Sequence, residues 1–501
     1  MRPQRHSERT SVQRFDTVPR ERLYVGQQPL QDLCGGVRAP LRAGERKDVG
    51  IVRHRALLVV GLVFALGLVA ALGVAAAGTD RGASKQGAAA ILPPKVKNAA
   101  AIRAKYKGQK ITFVGDSVGN SHKRDLMLAT RFQKDTGIRI NVVPHPAASE
   151  ASYAQLARAF SSKSSSIDVA MIDVIWPGAF APYLVDLKPK LGKQAKLHAA
   201  GIVANDTVKG KLVAMPWFGD FGILYYRTDL LSKYGYSGPP TTWTQLFTMA
   251  KKIQDGEQKA NSNFYGFVFQ GNAYEGLTCD ALEWIASSGG GNYIDDGKVT
   301  IDNAKARVIL DAIGNQIGKI TPRGVTSYQE GEAHNAFVGG NAAFMRNWPY
   351  AYSIAAGADS NVKGKFNVTV LPHGATGKSV GTVGGWQLAV SKYSKHKDAA
   401  IEFVRYMTSP GVEKFDAIFN TNVPTIPAVA KDKAVVKANP YLKPAIASVP
   451  RVTRPAKFLK THYNEASKVI YQGINQILNG TPAKNVLPGM ESKLNQIIKQ
   501  S

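Results

Sequence analysis

Lys110-Ile111-Thr112-Phe113-Val114, Ile138-Arg139-Ile140-Asn141-Val142-Val143 and Asp168-Val169-Ala170-Met171-Ile172 decide the fold of this chain. Each is a short run rich in β-branched residues, the length and composition of a strand. A helical pattern from about His122 to Thr136, stopped by Gly137, separates the first two. A second, at about Ala151–Ser161, separates the second from the third. This β-α-β-α-β alternation predicts a mainly parallel sheet with helices on both faces. The third run is wholly apolar from Val169 to Ile172, before Asp173, as a strand covered on both sides must be. Ligands of open α/β sheets collect at the carboxyl ends of the strands. Asp173 stands at such an end, where a carboxylate can accept two charge-assisted hydrogen bonds from vicinal hydroxyls. The plainer reading of Asp173 is a helix cap or turn former.

Helical patterns continue along the chain. One opens at Pro240-Thr-Thr-Trp-Thr-Gln-Leu246 with a Thr cap. An amphipathic helix is expected over Asp280–Ser288, ending at Gly289-Gly290-Gly291, and another over Asp398–Ser409, stopped by Pro410. Helices over Asn464–Leu478 and Val486–Lys499 close the chain. No repeat at solenoid or propeller period is present. A second informative stretch is Gly339-Gly-Asn-Ala-Ala-Phe-Met-Arg-Asn-Trp-Pro-Tyr350. Its glycines allow close backbone approach, and Pro349 fixes a corner carrying two large rings with polar tips. Rigid aromatic faces beside polar groups suit a sugar, which has an apolar C–H face and a rim of hydroxyls. A core turn with two buried aromatics would read the same way.

Length and composition bound the rest. A chain of 501 residues, 44% hydrophobic, implies two or three domains with sizeable cores. The net charge of +28 comes from 64 Lys/Arg against 36 Asp/Glu. No zinc knuckle, basic zipper or RNA-recognition signature accompanies the lysines, so no nucleic-acid partner is expected. Their scatter fits a solvated surface lying against an anionic membrane or cell wall. Cys34 and Cys279 lie on opposite sides of a long apolar segment and are not expected to pair. Cys279 reads as a small buried hydrophobe. No His-Glu-x-x-His, Cys/His cluster or complete calcium loop occurs, and Asp295-Asp296-Gly297 reads as a turn. Neither a metal nor a cofactor is expected.

That apolar segment is Ala56–Ala77, 22 uncharged residues preceded by Arg53, His54 and Arg55 and closed by Val74-Ala-Ala-Ala-Gly78. The pattern is that of a signal peptide, and the length also permits a membrane anchor. Either way the positive flank keeps 1–55 inside and places everything after about residue 78 outside the cytoplasmic membrane. No cysteine follows the run to carry a lipid. Residues 1–55 read as an aperiodic basic extension, consistent with a start upstream of the true one. The Ala-, Lys- and Gly-rich segment 79–109, with Pro93-Pro94, reads as a linker.

At Asp168-Val-Ala-Met-Ile-Asp-Val-Ile-Trp-Pro-Gly178 the chain resembles the extracellular solute-binding proteins of sugar-importing ABC transporters, in the maltose/trehalose-type branch. The resemblance extends over about residues 110–500. Further matches are Gly210-Lys-Leu-Val-Ala-Met-Pro216, Gly222-Ile-Leu-Tyr-Tyr-Arg-Thr-Asp-Leu-Leu231, Pro240–Leu246, Gly340–Tyr350, Val383-Gly-Gly-Trp-Gln-Leu-Ala-Val390 and Ala399-Ala-Ile-Glu-Phe-Val-Arg-Tyr-Met407. Their order and spacing carry the specificity, since each is weak alone. The resemblance implies a two-lobe α/β fold with the ligand cleft between lobes. Lobe one would comprise 110–217 plus 381–430, and lobe two 218–380 plus 431–501. It implies a monomer that captures a sugar, a di- or oligosaccharide, and delivers it to ABC transporter permease subunits without catalysis. Cleft residues carried over are Asp116, Ser117, Asp173, Trp348, Tyr350, Gly385 and Trp386, with Glu275 from Tyr-Glu-Gly-Leu277. An Arg-Pro segment near the C-terminus maps to Arg454-Pro455, followed by a longer interval to Tyr463 than the family usually has. Pro216-Trp-Phe-Gly-Asp-Phe-Gly222 also departs from the family, so Asp220 is expected either to contact ligand or to cap a turn.

Two other readings compete. One is a binding protein for another solute, such as a phosphorylated polyol. The other is a serine esterase, because Gly115-Asp-Ser-Val-Gly-Asn120 matches both Gly-x-Ser-x-Gly and the opening motif of the Gly-Asp-Ser esterases. That chemistry needs a histidine supported by a carboxylate. His334, His373, His396 and His462 have Gly331, Val370, Tyr393 and Leu459 three residues earlier, none of them acidic. Ser117 is therefore not expected to be a nucleophile.

Overall fold

The computed structural model describes residues 91–501. The signal or anchor segment 56–78 and the extension 1–55 lie outside the described residues. Among those described, no helix is long and apolar enough to cross a membrane.

The chain enters through α1, Ala99–Tyr106, within the stretch read as linker. Alanine- and lysine-rich composition hid this helix. Docking explains it: Val96 and Ile102 are buried among Ile111, Phe132 and Phe403. Arg103 also donates to the Lys134 and Asp135 carbonyls. Each buried aliphatic side chain stabilises by about 1.5–3 kcal/mol, enough to order a short segment.

The expected alternation follows as β1 (Lys110–Gly115), α2 (Ser121–Thr136), β2 (Arg139–Pro144), α3 (Ser149–Ser161) and β3 (Val169–Asp173). β1 pairs in parallel with β2 and with β3. Strand Gly381–Val390 adds to β3 in antiparallel register, placing Trp386 opposite Asp173. Its other side pairs with strand Met215–Phe221. The sheet is thus mixed, with an antiparallel strand inserted from far along the chain. Gly385 has φ 129, a conformation side chains rarely adopt, and a Cβ there would lie 2.8 Å from the Phe218 carbonyl oxygen.

A second sheet holds Phe366–Thr369, Ile223–Arg227, Ala342–Asn347 and Tyr265–Val268, in that order. One residue, Gly222, separates Met215–Phe221 of the first sheet from Ile223–Arg227 of the second. A Cβ on Gly222 would sit 1.9 Å from Glu283 Oε1, so only glycine fits this crossing.

The amphipathic helix expected over Asp280–Ser288 runs instead over Glu275–Ser287 and is buried on nearly every side. Its charges are satisfied internally rather than by water. Arg346, fully buried, donates to both Glu283 oxygens at 2.7 and 2.8 Å and lies 3.0 Å from Asp280. Helices Tyr463–Leu478 and Ala483–Ile498 pack into the same core as this helix.

Candidate functional site

The carboxyl ends of β1, β2 and β3 deliver Asp116, His145 and Asp173 to one cavity of about 720 Å³ of empty space, part of it open to solvent. Asp116 Oδ1 accepts from the Val118 N–H, and Asp116 lies 3.7 Å from both Arg124 and His145. Burial raises its pKa, but His145 and Arg124 outweigh that and hold it below its ordinary value. Arg124 is itself fully buried, paired with Asp125 and Asp416 and stacked 4.2 Å from the Trp217 ring.

Arg454 ties the end of β3 to the start of helix Glu275–Ser287 at the cavity. It donates to Asp173 through both terminal nitrogens, at 2.8 and 3.2 Å, and to Glu275 Oε1 at 2.8 Å. Its side chain is 3% exposed and those of Asp173 and Glu275 are 7% exposed. Glu275 also accepts from Tyr463 Oη at 2.5 Å and Ser467 Oγ at 2.6 Å. The unusually long interval before Tyr463 is taken up by the short helical turns Ala456–Leu459 and Lys460–His462, which still bring Tyr463 to Glu275. Burial works against the Arg454 charge, but Asp173 leads the charges that outweigh it and raise its pKa. Burial likewise raises Glu275 against the pull of Arg454.

The aromatic residues are mounted, not free. The Trp348 ring has the Arg346 guanidinium 4.0 Å from its centroid, and its indole N–H donates to Glu330 Oε1 at 3.2 Å. Gly384 leaves room for this ring, since a Cβ there would come within 3.1 Å of it. Trp386 stacks on His145, centroids 5.3 Å apart and planes at 27°, with Trp176 edge-on at 5.7 Å. Tyr350 is buried, its hydroxyl 3.3 Å from His334 Nδ1.

Asp116, Asp173, Asp220, Glu275, Trp348, Tyr350, Gly385, Trp386 and Arg454 all line this cavity, and Ser117 does not. The Ser117 Oγ is buried with no hydrogen-bond partner, so no histidine among the described residues is placed to take its proton. A fluorophosphonate probe is expected to leave the protein unlabelled; stoichiometric labelling abolished by Ser117→Ala would restore the esterase reading. Asp220 lies within strand Met215–Phe221 rather than at a turn, and it lines the cavity with Oδ1 unpartnered. Burial pushes its carboxyl well above the usual range, against Arg346.

The sequence reading missed His145, Phe218, Glu330 and Asn422. His145 follows β2 directly, so the rule that selected Asp173 would have found it. Glu330 opens helix Glu330–Val338, inside the capping box formed by Gln329 and Glu332, and nothing local distinguishes it from a capping acid. Among the described residues no cluster of His, Cys, Asp and Glu is placed to hold a metal ion.

Residues 122–414 match the family model described as bacterial extracellular solute-binding protein. A "Probable ABC transporter-binding protein" of Deinococcus radiodurans is 48% identical over 340 residues, 68% of this chain and 80% of its own length. Among solved structures, "Maltose bound T. maritima MalE3" superposes with a TM-score of 0.72 at 36% identity, over 77% of this chain and 99% of that one. The GacH receptor of Streptomyces glaucescens, solved unliganded and with acarbose, gives 0.68 at 25% identity, over 78% of this chain and 98% of that one. The mixed sheets, the Gly222 crossing and the cavity at the strand ends are the two-lobe architecture of these proteins. The chain belongs to the bacterial extracellular solute-binding protein family.

Proposed function

We propose that this protein captures a neutral sugar, a di- or oligosaccharide, outside the cytoplasmic membrane and hands it to the permease subunits of an ABC transporter. One observation carries the reading: two mounted indoles share a cavity with buried acids, one of which, Asp220, keeps an oxygen with no hydrogen-bond partner in the protein. Trp348 and Trp386 would cover the apolar faces of pyranose rings, with Tyr350 at an edge. Asp173 and Glu275 would receive hydroxyl hydrogen bonds, and Asp220, held toward its protonated form, could also donate one. The maltose and acarbose of the solved relatives are ligands of this chemistry.

A phosphorylated polyol suits the cavity poorly. Among the described residues Arg454 is the one Arg or Lys lining it, and two carboxylates already hold that charge. Asp116, whose carboxyl is held below its ordinary value by His145 and Arg124, would further oppose an anion. Capture without catalysis fits the unpartnered Ser117.

The working form would be a monomer of two lobes, 110–217 with 381–430 and 218–380 with 431–501, closing about the crossings. The pairing of strand Met215–Phe221 with Gly381–Val390 through Phe221 supports a first crossing at Gly222, four residues beyond the expected boundary at 218. Residues 56–78 would either be cleaved or anchor the protein to the outer face of the membrane.

A thermal-shift panel on residues 90–501 tests the reading with maltose, trehalose, maltotriose, mannitol and sorbitol 6-phosphate. A specific sugar at 100 times its dissociation constant should add about 2.7 kcal/mol of stability. A shift with the phosphorylated polyol alone would replace the sugar reading.

A further inference from the structure

We propose that His145 is a ligand-contacting residue of this cavity, that its Nε2–H donates to a sugar oxygen, and that its proton makes sugar retention pH-dependent. The inference rests on the sugar-binding reading and names a residue and a regulation that the reading does not contain.

The geometry assigns the proton. His145 Nδ1 lies 2.5 Å from the Pro146 carbonyl oxygen. A carbonyl only accepts, so Nδ1 carries hydrogen whatever the charge on the ring. Nε2 is then the atom that titrates. It is buried, has no hydrogen-bond partner in the protein, and belongs to a ring that lines the cavity. Asp116 Oδ1 stands 3.7 Å from it, too far for a hydrogen bond and close enough to favour a charged ring. Trp386 covers one face of the imidazole, fixing its plane and limiting the directions in which Nε2 can point.

The charged neighbours act in one direction. Asp116 and Asp125 both favour the charged imidazole and Arg124 is paired with Asp125 and Asp416; burial pushes the Asp125 carboxyl up to about 7, so it titrates over the same range. Across the cavity Arg454 is matched by Asp173 and Glu275, while burial raises the carboxyls of Asp220 and Glu330 toward their neutral forms. Burial opposes protonation of His145, but Asp116 outweighs it and the imidazole pKa is raised.

The sign follows. A protonated ring offers Nε2–H to a ligand hydroxyl or ring oxygen as a charge-assisted donor. A neutral ring turns Nε2 into an acceptor opposed to the Asp116 carboxylate. Affinity should be highest below the pKa of the free protein's His145 and should fall as pH rises through it. By linkage, binding raises that pKa further, so sugar uptake near the midpoint carries protons with it.

The test uses purified protein and whichever of maltose, trehalose or maltotriose gives the largest thermal shift. Calorimetric titrations between pH 6 and 9 should show affinity falling about fivefold as pH rises, the difference between a charged and a neutral hydrogen bond. Titrations near the midpoint, in buffers of different ionisation enthalpy, should show net proton uptake. His145→Gln retains an N–H donor without a titrating proton, so it should bind sugar with a flatter pH profile and no uptake assigned to this site. His145→Phe keeps the stack on Trp386 and should bind weakly at every pH. If wild-type binds and His145→Gln keeps the full slope and proton uptake, or if wild-type affinity is flat, this inference fails while the sugar reading stands. If wild-type binds none of the three sugars, the sugar reading fails and this inference with it.

Discussion

Arg454→Met should abolish measurable sugar binding, a loss of at least ~100-fold, and should also lower thermal stability. The guanidinium bridges Asp173 and Glu275 in a site where all three side chains are less than a tenth exposed. Removing one member of such a cluster leaves buried charge without a partner, which typically costs about 3–5 kcal/mol. Arg454→Lys should recover part of the stability and little of the affinity, because one ammonium cannot reproduce the bidentate contact with Asp173. The variant should also show a pH signature. Glu275 already has a raised pKa in the folded protein, and losing Arg454 raises it further. A carboxyl whose folded pKa exceeds its unfolded value binds extra protons in the folded state above about pH 4.5, so stability falls as pH rises toward the folded pKa. The deficit of Arg454→Met against wild type should therefore be larger at pH 8 than at pH 5 by thermal denaturation. An equal deficit at both would mean that Glu275 does not depend on Arg454.

Trp348→Ala should weaken sugar binding by about 2 kcal/mol or more, roughly 30-fold. The residue offers a flat surface that is already oriented, so little ordering entropy opposes the contact. The Arg346 guanidinium lies 4.0 Å from the ring, Gly384 clears space beside it, and Glu330 accepts its N–H. Trp348→Phe keeps a ring without the Glu330 contact and should lose less. Asp173→Asn preserves shape and weakens a charge-assisted bond, for an expected cost of about 1–2 kcal/mol. Wild-type affinity in both Trp348→Ala and Asp173→Asn, with folding intact by circular dichroism, would show that the cavity assignment is wrong.

The three parallel strands of the first sheet were legible because β1, β2 and β3 are β-branched runs separated by helical patterns, a signal that depends only on neighbours in sequence. α1 was not, because Ala99–Tyr106 has little apolar periodicity and is held by Val96 and Ile102 docking onto distant residues. The helix Glu275–Ser287 was misread for a related reason: Asp280 and Glu283 look solvent-facing until Arg346, more than sixty residues later, arrives to neutralise them. At the site, position at a strand end picked out Asp173, the rigid Trp-Pro-Tyr corner picked out Trp348 and Tyr350, and resemblance picked out Trp386 and Arg454. What sequence could not supply was the backing of each group: Arg346 on Trp348, His145 on Trp386, and Tyr463 with Ser467 on Glu275.

The insertion of Gly381–Val390 between β3 and Met215–Phe221 bears on how the chain is made as well as on how it works. Strands β3 and Met215–Phe221 have no hydrogen-bonded path to each other except through a segment about 160 residues further on. A nascent chain ending before residue 381 would expose two strand edges and could not complete its first sheet. Such long-range closure is slow, because the loop entropy is lost before the pairing rewards it. During synthesis the first sheet would stay open until roughly seven-tenths of the described chain had emerged. An exported protein gains from that delay, since a sheet that cannot close early is less ready to block the channel through which the chain leaves the cytoplasm.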